Sequence, residues 1–246
     1  MPNKRMNDYS NIISYVLNTY SDYIDNLQII ELKNLLSKDA HHYDEHNIRK
    51  VINSIMQLIV DECGSDIVND LNLPSQYFWG YYKDVTFNDH VDIRKDSIEI
   101  DEFLLAKFND GVTIHSKKLP QGAFSTAYMN GVVDLTNVVE LDGFNLNYIN
   151  DDYTTVKLSK DLKKIDRFAF ANKLSNITIE YPGTIHEFNN MIFENFLQWP
   201  ERYKNQFNDV LEDTNTLKIK CLDGYWDREV FKHDQRYHEW DKKWAN

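Results

Sequence analysis

The densest group of chemistry-bearing side chains is His41, His42, Tyr43, Asp44, Glu45 and His46. His42 and His46 are four residues apart, so a helix would put both on one face, where they could grip zinc beside Asp44 or Glu45. No second ligand pair follows at a suitable spacing, and Asp44 stands where the cap of the next helix belongs. The expectation is that this segment holds no metal. A Cys63–His46 dyad would need contact between residues about 25 Å apart along one continuous helix. There is no Gly-rich phosphate loop, no G-x-S-x-G, no H-E-x-x-H and no paired-cysteine motif. Catalytic residues, cofactor and metal are all expected to be absent. An enzyme whose site is assembled from loops is the third reading of the chain.

The other candidates are aromatic. Pro74 breaks a helical stretch and is followed by Tyr77, Phe78, Trp79 and Tyr81, and Trp226, Trp240 and Trp244 punctuate the end of the chain. Such residues either seal the end of a repeat structure or anchor a partner. All seven are candidate partner-binding residues.

The elements that must position them follow from one recurring pattern. Val91-Asp92-Ile93, Val112-Thr113-Ile114, Val133-Asp134-Leu135, Val156-Lys157-Leu158, Ile177-Thr178-Ile179 and Leu217-Lys218-Ile219 are apolar-polar-apolar triplets, with starts 21, 21, 23, 21 and 40 residues apart. Each suits a short strand with one buried face, and the fixed period predicts a solenoid. Phe103, Phe124, Phe144 and Phe170 follow the first four at nearly constant offset and are expected to stack as an internal column. Asp92, Thr113, Asp134, Lys157, Thr178 and Lys218 would line the exposed face. Upstream, three apolar stripes predict helices: Ile12, Val16, Leu17 and Tyr20; Leu27, Ile30, Leu32, Leu35 and Leu36; and Ile48, Val51, Ile52, Ile55, Met56, Ile59 and Val60. The fold expected is α+β. A helical unit or cap spans residues 1–74, an aromatic linker 75–90, a solenoid 91–224 with a helical insertion at 185–213, and a charged aromatic tail 225–246.

Several of these residues carry a family likeness. Val156, Leu158, Leu162, Ile165, Ala169, Phe170, Leu174, Ile177 and Ile179, with Ala123-Phe124 two units earlier, resemble the BspA-type leucine-rich repeat family. Tyr181-Pro182-Gly183-Thr184 resembles that family's closing turn. The resemblance implies an interaction scaffold with no shared catalytic residues, and the stretch between Ile192 and Leu217 departs from it.

Composition bounds the rest. The chain has 246 residues, 39 acidic against 27 basic, and a net charge of −12. Such a surface repels phosphates, so direct nucleic-acid binding is not expected. No apolar run approaches the ~20 residues of a membrane span, and Met1 to Tyr9 lead into no signal-peptide core. A cytoplasmic location with two free thiols is expected, and the Asn-, Ile-, Lys-rich usage suits a bacterial or phage genome. The leading functional reading is a non-catalytic scaffold for a protein partner, such as a phage-encoded inhibitor or adaptor. The alternative is an acidic nucleic-acid mimic using Asp84, Asp89, Asp92, Asp96, Glu99, Asp101 and Glu102.

Overall fold

A computed structural model describes residues 45–70, 82–143, 145–146, 154–166, 169, 177–196, 218–236 and 238–239, with isolated positions among residues 14–30. The first two helical stripes fall almost wholly outside the described residues, as do Phe144 and Phe170. Helix α1 (Glu45–Cys63) buries Ile52, Ile55, Met56, Ile59 and Val60, the stripe its period predicts. It stops at Gly64, which takes φ 79° and donates its N–H to the Val60 carbonyl. A single turn, α2 (Ile67–Asp70), follows.

The chain then winds into a β-solenoid. Seven strands form the long sheet: β2 (Val91–Ile93), β4 (Val112–Ile114), β7 (Val132–Leu135), β9 (Thr155–Leu158), β11 (Thr178–Glu180), β12 (Ile219–Cys221) and β13 (Gly224–Trp226). All pair in parallel except the last, which turns back antiparallel on β12. Two short parallel sheets complete the coils. One joins β1 (Thr86–Phe87), β3 (Lys107–Phe108) and β6 (Tyr128–Met129); the other joins β5 (Lys118–Leu119), β8 (Glu140–Leu141) and β10 (Lys164–Ile165). Strands of two to four residues cannot bury a face alone, so each coil is stable only against its neighbours.

The ladder differs from the expected register at its end. Val91, Val112, Val133 and Val156 are continued by Ile179 and then Ile219, so the fifth and sixth steps sit two residues later than Ile177 and Leu217. A shift of two keeps the same side chains on the same face, which is why alternation alone did not expose it. The outward row is therefore Asp92, Thr113, Asp134, Lys157, Glu180 and Lys220, with Tyr225 opposite Lys220.

Inside, Phe103 and Phe124 stack 4.8 Å apart, and Tyr82 extends the column at 5.1 Å from Phe103. A second column runs beside it: Phe87 on Phe108 at 5.1 Å, with Met129 next in register. Burying each of these phenylalanines contributes ~1.5–3 kcal/mol, and each stacked pair adds ~0.5–1.5 kcal/mol. Residues 82–90 thus belong to the first coil and are not a linker, because Tyr82 and Phe87 occupy the two aromatic columns.

Side-chain amides seal the first coil. Gln57 on α1 donates to the Thr86 carbonyl and accepts from the Thr86 N–H, at 2.9 and 2.7 Å. Asn69 on α2 donates to the Asp92 carbonyl at 2.8 Å and accepts from the Arg94 N–H at 2.6 Å. Both edge strands therefore find hydrogen-bond partners that no further strand supplies.

At the other end, helix α3 (Ile185–Phe196) starts with a capping box in which Thr184 N–H and Oγ1 bond to Glu187 at 2.7 and 3.1 Å. Its Phe188 meets Tyr181 and Trp226 edge-on. Its Asn189 accepts from the Trp226 indole N–H at 2.9 Å and donates to Asp234 at 2.7 Å. Asp227 caps the short helix α4 (Arg228–Lys232), whose Phe231 is fully buried. Residues 224–236 accordingly pack on the solenoid as its last layer. Among the described residues no helix is long and apolar enough to cross a membrane.

Candidate functional site

The outward row of the long sheet is an array of side chains that the fold holds in fixed register across six coils. Strand spacing sets these residues about 4.8 Å apart. At its first end the row is cross-linked by polar contacts. Asp92 accepts from His115 Nε2 at 2.6 Å and lies 3.7 Å from Arg94, which also reaches Asp66 at 2.5 Å. His90 bridges the Thr113 hydroxyl at 2.9 Å and the Asp110 carbonyl at 3.0 Å. A carbonyl only accepts, so Nδ1 carries a proton and Nε2 of a neutral ring accepts from the Thr113 hydroxyl. This arrangement lies on an exposed sheet surface and fixes side chains across two coils.

Further along, Asp134 turns its carboxylate onto its own chain, accepting from the Thr136 N–H at 2.9 Å and the Thr136 hydroxyl at 2.6 Å. Glu180 takes the Lys220 ammonium at 2.9 Å, and that contact raises the Lys220 pKa. Lys157 lies between these two carboxylates in the row and makes no hydrogen bond or ion pair to either.

Beside Lys157 the surface opens into a groove of about 300 Å³ at the carboxyl ends of β9, β11 and β12. Buried Leu158, Tyr181 and Cys221 form its inner side, while Pro182 and Leu222 are exposed at its mouth. Leu222 is 75% exposed and Tyr225, in the next strand, 58%. Burial pushes the Cys221 thiol up to about 11 and raises the Tyr181 phenol, so neither is poised as a nucleophile or base near neutrality. Cys63 is also a free thiol, raised by burial and by Glu62. It ends α1 while His46 begins it, about 25 Å away, so the two form no dyad.

The sequence-predicted partner residues are not gathered at this surface. Trp226 is 4% exposed, wedged between Phe188 and Phe231, and therefore offers no anchor to a partner. Tyr77, Phe78, Trp79, Tyr81, Trp240 and Trp244 lie outside the described residues, as do His41 and His42. Among the described residues no three His, Cys, Asp or Glu side chains are grouped to hold a metal ion. Of the acidic stretch, Glu102 is buried against Lys95 at 2.5 Å and Asp92 is held by His115, so neither carboxylate is free to face a partner. Sequence reasoning missed Pro182, Leu222 and Tyr225. The signal was present in the hairpin Cys221-Leu222-Asp223-Gly224, whose two-residue turn forces Leu222 to its tip.

No protein-family model, curated protein or solved structure matches this chain.

Proposed function

We propose that the chain is a non-catalytic scaffold that binds a protein partner through the outward face of its seven-stranded sheet. The carrying observation is the register of that face. Asp92, Thr113, Asp134, Lys157, Glu180 and Lys220 sit on consecutive coils, where each can be replaced without disturbing the buried residues on either side. Solenoids present binding surfaces in this way, and the likeness to BspA-type repeats supports the same reading. The high thiol pKa of Cys221 and the exposed, shallow setting of the His90–Thr113 contact give catalysis no support. An inhibitor or adaptor acting on a host protein, from a phage-borne gene, is the form of scaffold that the acidity and the Asn-, Ile- and Lys-rich composition favour.

The test is affinity capture from bacterial cytosol with the immobilised chain, followed by mass spectrometry. Capture should be lost when Thr113 and Asp134 are both changed to Arg. It should persist in Lys107→Glu, on a different sheet. A partner retained by the double variant and lost by Lys107→Glu would overturn the assignment of this face.

A further inference from the structure

We infer that the groove beside Lys157 receives an extended acidic peptide segment in which a carboxylate neighbours a large apolar side chain. This rests on the scaffold reading and names the chemistry of its partner.

Three observations converge on it. The first is a cation without an ion pair. Lys157 occupies the row between Asp134 and Glu180, yet Asp134 is taken by Thr136 and Glu180 by Lys220. Among the described residues its ammonium has no counter-ion, although the chain carries a net charge of −12. The second is local charge. Among the lining residues Glu180 is the one carboxylate and it pairs with Lys220, which leaves Lys157 as the lining cation without an ion pair, while the Asp161 and Glu187 carboxylates reach Tyr181 only at longer range. Asp223, beside the groove in the hairpin, turns its carboxylate to the Ile185 N–H at 2.7 Å. The third is apolar surface. Leu222 and Pro182 are exposed at the mouth, and the volume of about 300 Å³ is at the small end of ligand pockets, enough for one or two side chains.

A purely apolar segment would leave Lys157 desolvated and unpaired, which is costly. A basic segment would meet Lys157 and Lys220 with like charge. An acidic segment lacking apolar side chains would leave Leu222 and Pro182 uncovered. Only the combination of carboxylate and apolar side chain satisfies all three features.

The probes are three fluorescein-labelled peptides of equal length: glutamates alternating with phenylalanine and leucine, the same with lysine for glutamate, and the same with serine for the apolar residues. Anisotropy titrations of the full chain at low salt should show the first binding at least about tenfold tighter than the other two. Lys157→Met and Leu222→Ser should each weaken it by about tenfold with melting temperature unchanged. The inference falls if the lysine peptide binds as tightly, or if Lys157→Met leaves affinity unaltered in a folded protein. Peptide binding of the expected kind, alongside protein capture that ignores Thr113 and Asp134, would keep the groove and remove the broader face. Capture that depends on Thr113 and Asp134 without any peptide preference would do the reverse.

Discussion

Asp84, Leu105 and Thr126 are spaced 21 residues apart and all take left-handed backbone, with φ of 62°, 59° and 55°. The corner of each of these three coils takes that conformation whatever residue arrives there. For leucine the cost is ~1–2 kcal/mol, whereas asparagine enters this region readily. Leu105 is 40% exposed, so replacing it forfeits only part of the ~1.5–3 kcal/mol that full burial of a leucine contributes. Leu105→Asn should raise stability by ~0.5–1 kcal/mol, seen as a higher melting temperature; a lower one would mean that packing outweighs strain at this corner. Asp234 supplies a pH test. Hydrogen bonds from the Arg236 side chain, at 2.9 and 2.6 Å, hold its carboxyl down at about 2 despite partial burial. A carboxyl lowered on folding stabilises fully above its unfolded value near 4, and that contribution is lost as pH falls towards 2. Asp234→Asn should therefore melt below the parent at pH 7, with the gap closing between about pH 4 and pH 2. A gap that persists unchanged at pH 2 would show that the charge contributes nothing.

At the scale of elements, the solenoid's first coil depends on α1 and α2 less as packing blocks than as carriers of two amides. Gln57 and Asn69 each complete both a donor and an acceptor of an edge strand. Replacing Gln57 with leucine would leave the Thr86 N–H and carbonyl unpaired in a partly buried seam, at a cost of ~1–3 kcal/mol. Hydrogen exchange should then quicken at β1 and β3 before it does at β9 and β11. Uniform exchange across the sheet would place the seal elsewhere. The strands themselves were legible from sequence, because a period of 21 residues and apolar alternation both follow from how one coil covers the next. The second aromatic column was equally legible, since Phe87, Phe108 and Met129 repeat the same interval as Tyr82, Phe103 and Phe124. Reading the aromatics before residue 91 as a linker hid it. The amide seals were not legible. They depend on the three-dimensional apposition of surface polar residues that no periodicity marks. The groove fell between these cases: Leu222 was foreseeable as a turn tip, while the idle charge of Lys157 depends on where Asp134 and Glu180 turn their carboxylates.

For the molecule as a whole, one feature of the middle coils bears on how the chain can change length. Lys107 pairs with both Thr86 and Tyr128, and Val112 with both Val91 and Val133, so the coil from 107 to 127 presents matching surfaces above and below. Gly111 shows how tight the match is: a Cβ there would lie 2.3 Å from the Val132 carbonyl oxygen of the next coil. A piece whose two faces are interchangeable behaves as a spacer, and copying it in tandem creates no new kind of junction. A gene with codons 107–127 written twice should give a folded protein roughly 4.8 Å longer, with both end seals intact and the groove at Lys157 carried further from α1. Small-angle scattering and melting would read this directly, and an unfolded or aggregated product would show that the coils are less alike than their hydrogen bonds. Between α1 and the groove, then, distance is a quantity that unequal crossing-over can adjust in single steps, leaving both ends unaltered.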